Sequence, residues 1–124
     1  NINKKENQVW KLVDSIGKKD ISKSIDIYSS LYKSNTPTIK ILLNLLDLFK
    51  EIINQKLGKN SGKFIRNKII LKNLNTYGKR FSIDEVLYAI KILRDCDFLC
   101  KTTSINEKYL FHSIIADICK GINV

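Results

Sequence analysis

The chain lacks several residue types, and each absence limits its fold or its chemistry. Its 124 residues include no Met, one Pro and one His. Because Met is missing even at position 1, we expect the chain to be a piece of a larger protein. The lone histidine, His112, has no paired carboxylates or second histidine to form a catalytic constellation. We therefore expect no enzymatic activity.

Cysteine is also sparse. The disulfide framework of a small secreted domain needs more cysteines than the three present here, and an even number of them. The three residues are Cys96, Cys100 and Cys119. Their low, odd number favours a cytoplasmic protein. Together with His112 they offer four zinc-ligand side chains, but the paired short spacings of zinc sites are absent. Buried small hydrophobes explain the cysteines better, and we expect neither a metal nor a cofactor.

No apolar run is long enough to cross a membrane. The best candidate, 39–53, is interrupted by charged and polar residues and is shorter than the ~20 residues that a span requires. No apolar run follows a basic start, so we expect no signal peptide in this chain. The glycines at 58 and 62 lack the Lys-Ser/Thr ending of a phosphate-binding loop, so we expect no ATP binding.

Acidic residues are absent from a long central segment. The chain carries a formal net charge of +10, and the segment 52–83 contains no Asp or Glu. A/T-rich codons explain part of the excess of Lys, but not the missing acids. This basic segment predicts either a solvated face or a surface for DNA phosphates or an acidic partner, with Tyr77 and Phe81 as candidates for stacking on bases. Its eight basic residues are Lys56, Lys59, Lys63, Arg66, Lys68, Lys72, Lys79 and Arg80.

Helical periodicity is present along the rest of the chain. In the stretch 12–20, Leu12, Val13 and Ile16 form an apolar stripe at helical spacing. Gly17 can take the left-handed conformation that closes a helix, and Asp20 can cap the next one. The stretch therefore predicts a helical hairpin.

A third helix is predicted from the only proline to about residue 56. Thr36 is expected to cap it, with Pro37 at the first helical position. Its apolar stripe is broad, which predicts a central helix packed on more than one side.

The middle of the chain predicts a loop at 57–62 followed by a helix over 63–74. Gly78 is expected to close that helix. Phe64 would be one of its anchoring residues.

Two further helices follow, each with a starting signal. Ser82 and Glu85 form a capping box, and Phe81 and Val86 are placed for a hydrophobic staple. The last helix is expected to begin with a cap within 104–107, and Gly121 is expected to end it.

Asp97 shares the helical stripe of Val86, Ile90 and Leu93. A carboxylate on such a stripe needs a partner, and Lys101 lies four residues further on. We expect a structural ion pair between Asp97 and Lys101. The whole pattern predicts an all-α fold, a compact bundle of about six helices with short connections, in a single domain over 1–124.

Several short motifs recur in a fixed order along nearly the whole chain. They are Gly17-Lys18-Lys19-Asp20, the helix from Ile25 to Leu31, Asn35-Thr36-Pro37, Phe81-Ser82, Glu85-Val86-Leu87 with Ala89, and Leu93, Asp97 and Lys101-Thr102. Their order and spacing resemble the C-terminal domain of the bacterial DNA polymerase III delta subunit, a clamp-loader component. The segment 60–74 departs from that pattern, because it is shorter and lacks the usual Pro, and Thr103 stands where many members have Gly.

The resemblance implies a helical collar domain that packs against the collar domains of the gamma/tau and delta-prime subunits. It also implies that this domain has no catalytic residues, although its parent protein is a subunit of the DNA polymerase III holoenzyme. The sliding clamp would be contacted by an N-terminal region outside this chain. Two hypotheses follow. The chain is either an oligomerisation domain of a clamp loader, or a small basic helical domain that binds nucleic acid. In the second case, the segment 52–83 would contact the DNA backbone.

Overall fold

The described part of the chain is entirely helical. The computed structural model describes residues 4–121, except for the side chain of Lys5; residues 1–3 and 122–124 of the expected domain lie outside it. Within 4–121 there are seven α-helices and no strand, which confirms the all-α prediction with one helix more than expected. The helices are α1 (Lys4–Gly17), α2 (Ile21–Lys33), α3 (Thr38–Lys56), α4 (Lys68–Lys72), α5 (Leu74–Arg80), α6 (Ile83–Thr102) and α7 (Glu107–Lys120).

The third helix is the centre of the bundle, as its broad apolar stripe predicts. α3 packs against α1, α5 and α6, while α7 closes the other side by packing against α2 and α6. Two aromatic pairs fill the core between these helices. Tyr28 stacks on Phe111 with ring centroids 4.6 Å apart, and Phe49 meets the ring of Phe81 edge-on at 5.2 Å. No helix within 4–121 is both long and apolar enough to cross a membrane.

The α1–α2 hairpin forms, but its glycine has a different role from the predicted one. Asp20 caps α2 by accepting from the backbone N–H of Lys23, as expected. The left-handed residue is Lys19, with φ 58°, whereas Gly17 is the last residue of α1. A Cβ at Gly17 would lie 2.6 Å from the ring of Tyr77, so close packing, not a left-handed turn, requires glycine there.

Tyr77 is the side chain that fills this space. Its ring is fully buried, and its hydroxyl donates a hydrogen bond to Oδ1 of Asp14 on α1. Burial raises the pKa of Tyr77 above its usual value, and the bond to Asp14 raises it further. The tyrosine therefore stays protonated and fixes α5 against α1.

The start of α3 differs from the prediction. The helix begins at Thr38 with Pro37 as its N-cap residue, and Thr36 makes no capping bond. The hydroxyl of Thr36 is buried without a hydrogen-bond partner. The backbone turns one residue earlier, at Asn35, which has φ 59°, and this turn moves Thr36 out of the capping position.

The predicted helix over 63–74 was wrong, and so was the cap at Gly78. Residues 57–67 are irregular, and α4 starts only where the side chain of Asn67 accepts from the N–H groups of Ile69 and Ile70. Asn73 then separates α4 from α5, because its side-chain amide donates to the carbonyl of Ile69. Gly78 lies inside α5. Asparagines that bond their local backbone thus limit α4 to residues 68–72 and separate it from α5, most of which lies beyond the predicted helix.

The C-terminal helices begin largely as predicted. The Ser82–Glu85 capping box is confirmed, with both of its hydrogen bonds present. The cap of α7 is Asn106, within the predicted range 104–107, since its side chain accepts from the N–H of Tyr109. Gly121, with φ 75°, ends α7 as expected.

An ion pair joins three separate parts of the fold. Nζ of Lys19 lies 2.6 Å from Oε2 of Glu85 and 4.6 Å from the centroid of the Phe81 ring. A Cβ at Gly121 would overlap the Glu85 carboxylate, so the end of α7 also packs here. Partial burial alone would raise the pKa of Glu85, but the hydrogen bonds from Lys19 and Ser82 outweigh it and lower that pKa.

Replacing Gly17 by Ala should destabilise the fold, although Ala favours helices. The new methyl group would overlap the Tyr77 ring, which is buried and held by Asp14, so we expect a loss of about 1–3 kcal/mol. The matched control is Gly78→Ala, also within a helix, where the methyl group would meet only the end of the Gln55 side chain. That variant should change stability by less than about 1 kcal/mol in urea unfolding. Equal effects at the two positions would contradict the packing role of Gly17.

Glu85 should make stability depend on pH in the acidic range. A carboxyl whose pKa is lowered in the folded state contributes stability above its unfolded pKa of about 4.3, and this is lost as pH falls through the folded pKa. The unfolding free energy of Glu85→Gln should therefore lie below that of wild type at pH 6 and converge with it below about pH 4. The exposed Asp26→Asn is the control. A constant difference across this range would exclude the Lys19–Glu85 pair as its cause.

Candidate functional site

The eight basic residues of 52–83 lie on four consecutive parts of the fold. Lys56 is the last residue of α3, and it is the only one of the eight that is half-buried. The exposed members are Lys59, Lys63 and Arg66 on the loop 57–67, Lys68 and Lys72 on α4, and Lys79 and Arg80 at the end of α5.

None of these eight side chains forms an ion pair with any residue of 4–121. The four ion pairs in this part of the chain lie elsewhere: Lys18–Asp14, Lys19–Glu85, Lys91–Asp95 and Lys101–Asp97. The positive charge of the segment is therefore not balanced locally. Such a surface attracts anions at a distance and is sensitive to salt.

The loop within the segment is held by one buried carboxylate. Glu51, one residue before the acid-free segment, has no solvent exposure. Its Oε2 accepts from the backbone N–H groups of Phe64 and Ile65, both at 2.8 Å, and its Oε1 accepts from that of Gly62 at 3.2 Å. Three donors around one carboxylate compensate for its burial and fix the course of the loop.

Local sequence explains how the loop reaches this carboxylate. Gly62 has φ 85°, a conformation that glycine adopts without strain, and its N–H points inward. Ile65 is buried in the core, while Phe64, one residue earlier, remains 37% exposed. The carboxylate thus holds the loop with one side chain in the core and an aromatic ring at the surface.

Two lysines flank that ring. Nζ of Lys50 lies 5.6 Å from the centroid of the Phe64 ring, and Nζ of Lys63 lies 5.7 Å from it. These distances are within the range of cation–π attraction. The sequence pattern predicts Phe64 as a helix anchor and Tyr77 and Phe81 as rings that stack on bases. Because the rings of Tyr77 and Phe81 are buried, the stacking prediction was wrong.

A polar groove lies between the end of α3 and α5. It has a volume of about 350 Å³, and Lys56 and Lys79 both line it. On its wall, Nε2 of Gln55 donates to Oδ1 of Asn75 at 2.6 Å. Gly78 makes room for Gln55, because a Cβ there would lie 2.7 Å from its Oε1. The structure thus brings together Lys56 and Lys79, which are far apart in sequence.

A second surface lies where the start of α3, the end of α6 and the start of α7 meet. A depression of about 360 Å³ is lined there by residues of all three helices, among them Ile39, Asp97 and Lys101. Nζ of Lys101 lies 3.1 Å from Oδ2 of Asp97, and both side chains are partly exposed. We call this region the apolar end, because its segments expose the large apolar side chains of Ile39, Leu43, Phe98, Ile105 and Tyr109.

The family of the chain follows from comparison with known proteins. The family model of the DNA polymerase III delta subunit, C-terminal domain, matches residues 6–118. The chain belongs to this family. No curated protein and no solved structure matches it.

Family membership identifies the chain as a delta C-terminal domain, which is a clamp-loader subunit domain and not a polymerase catalytic subunit. The match spans both surfaces and includes the segment 60–74. The all-helical fold is consistent with this membership.

Two of the three cysteines of this delta domain are part of its interior, and Cys100 is partly buried against it. Cys96 and Cys119 belong to the hydrophobic core, and burial raises the pKa of Cys96 to about 12 and that of Cys119 to about 11. Their thiols are therefore protonated at neutral pH.

Nε2 of His112 lies 3.4 Å from the hydroxyl of Ser29, and its ring meets Tyr28 edge-on. Within 4–121, no three His, Cys, Asp or Glu side chains are grouped to hold a metal ion.

Replacing Glu51 by Gln should destabilise the domain by about 1–3 kcal/mol. Gln keeps the size of the side chain but turns an N–H₂ group toward one of the three backbone donors, which leaves that donor unpaired. Urea unfolding monitored by circular dichroism measures the loss. Asp47→Asn, one turn earlier on α3, is the control and should cost less, because burial raises the pKa of Asp47 and disfavours its charge. An unchanged midpoint for Glu51→Gln would contradict the anchoring role.

Proposed function

We propose that this delta C-terminal domain is a collar domain that assembles the clamp loader. In this role it packs against the collar domains of the gamma/tau and delta-prime subunits, in the cytoplasm, so that the complex can place the sliding clamp on DNA during replication. Contact with the clamp itself belongs to a region N-terminal to this chain. The domain contributes binding surface and no catalytic residue.

The family match carries this proposal, and the apolar end supports it. Phe98 is 66% exposed and Tyr109 is 72% exposed, the two highest values among the large hydrophobic side chains of 4–121. Aromatic side chains of this kind supply much of the binding energy of protein interfaces. We therefore assign the apolar end as the surface that meets a neighbouring collar domain.

The ion pair of Asp97 and Lys101 fits a structural role at this surface. It lies in the last turns of α6, and its two residues stand on either side of Phe98 in the sequence. Because both side chains are partly exposed, the pair contributes little stability by itself. Its proposed role is to keep the end of α6 helical, so that Phe98 is held in place.

Substitution of the two exposed aromatics should weaken assembly without unfolding the domain. We expect Phe98→Arg and Tyr109→Arg each to reduce association with purified gamma/tau and delta-prime at least about tenfold. Size-exclusion chromatography and titration calorimetry measure the association, and circular dichroism checks the fold.

The matched control is Leu87→Arg, which changes an exposed apolar residue near the other end of α6. It should assemble like wild type. Loss of assembly by Leu87→Arg alone would place the interface elsewhere, and wild-type protein that fails to associate with either subunit would contradict the proposed function.

A further inference from the structure

The loop 57–67 exposes an aromatic ring within a strongly basic surface. Of the three aromatic residues in 52–83, Tyr77 and Phe81 are buried, and only Phe64 reaches solvent. Assembly through the apolar end makes no use of this ring. The fold does not need the Phe64 ring to hold the loop, because the buried Ile65 side chain and the backbone hydrogen bonds to Glu51 already hold it.

The charges around the ring are arranged for a ligand that carries both flat rings and anionic groups. Lys50 and Lys63 flank Phe64 at 5.6 and 5.7 Å, and neither forms an ion pair within the described residues. The groove lined by Lys56 and Lys79 adds two cations on the same segment. No acidic side chain lies within 52–83 to repel an anion.

The loop is also ordered before a ligand arrives. The carboxylate of Glu51 accepts three backbone N–H groups and holds the residues on both sides of Lys63. A fixed loop loses little conformational entropy on binding, so less of the free energy of its contacts is offset and the binding affinity is higher.

We propose that this loop binds single-stranded nucleic acid, with one base stacked on Phe64 and the adjacent phosphates bound by Lys50, Lys63 and the other basic residues of 52–83. Stacking on an aromatic ring together with a basic path for the backbone is the general mode of sequence-independent binding to single strands. The acidic side chains of a peptide would match the charges, but they offer no flat ring to stack on Phe64. This binding is additional to assembly and uses a different surface.

The test measures affinity for a fluorescein-labelled 20-mer of thymidylate by fluorescence anisotropy in 50 mM salt. Phe64→Ala should weaken binding about 5- to 150-fold, the range expected for one lost stacking contact. Tyr88→Ala removes an aromatic ring of nearly the same exposure, 36% against 37% for Phe64, outside the basic segment and should bind like wild type. Circular dichroism checks that both variants fold.

A second arm tests the phosphate contacts by salt dependence. For a single strand, the slope of log K against log salt is about −0.7 for each phosphate neutralised. Lys59→Gln with Lys63→Gln should reduce the magnitude of this slope by about 1.4. The control, Lys33→Gln with Lys40→Gln, makes the same change in net charge at exposed lysines outside 52–83 and should leave the slope unchanged.

Three results would overturn the proposal. Equal affinities of Phe64→Ala and Tyr88→Ala would exclude stacking. Equal slopes for the two double variants would exclude phosphate contacts by the loop. Phe64-dependent binding to polyglutamate without binding to the oligonucleotide would assign the surface to an acidic protein.

Discussion

The buried carboxylate of Glu51 is the interaction on which the middle of this molecule depends. A loop with two glycines, two lysines and an arginine would ordinarily be mobile and solvated, because it has few apolar groups to bury. Here one side chain on the central helix accepts three of its backbone N–H groups and draws Ile65 into the core. The helix that fills the centre of the bundle therefore also determines the shape of its basic surface.

The same helix connects the basic surface to the rest of the fold. α5 packs on α3 and, through Tyr77, on the glycine that ends α1. The Lys19–Glu85 pair then joins the turn after α1 to the start of α6. The apolar end lies where α6 turns into α7, so the surface proposed for assembly and the loop proposed for nucleic acid are separate parts of one packed core.

Much of the fold could be predicted from the sequence, since its signals are local. Apolar periodicity identified the long helices, and Asp20, Gly121 and the Ser82–Glu85 box cap their own backbones within one turn. The errors arise where partners are distant in sequence. Gly17 was interpreted from its own conformational freedom, but the reason for glycine is the Tyr77 ring sixty residues away.

The candidate site shows the same limit. The missing acids of 52–83 were visible in the sequence, whereas the anchor at Glu51 was not, because nothing local distinguishes it from the other charges of α3. A helix was predicted over 63–74 because five apolar residues occur there at suitable spacing. In the structure the Glu51 carboxylate instead binds three amides of an irregular loop, and α4 starts only at Lys68, so that Ile65 is buried and Phe64 remains exposed.

Amide hydrogen exchange of the loop tests the central claim most directly. The amides of Gly62, Phe64 and Ile65, which donate to the buried carboxylate, should exchange slowly. Those of Ser61 and Lys63, which do not donate to it, should exchange much faster in the same spectra. Equal, fast exchange at all five positions would show that the carboxylate does not hold the loop and would contradict the account.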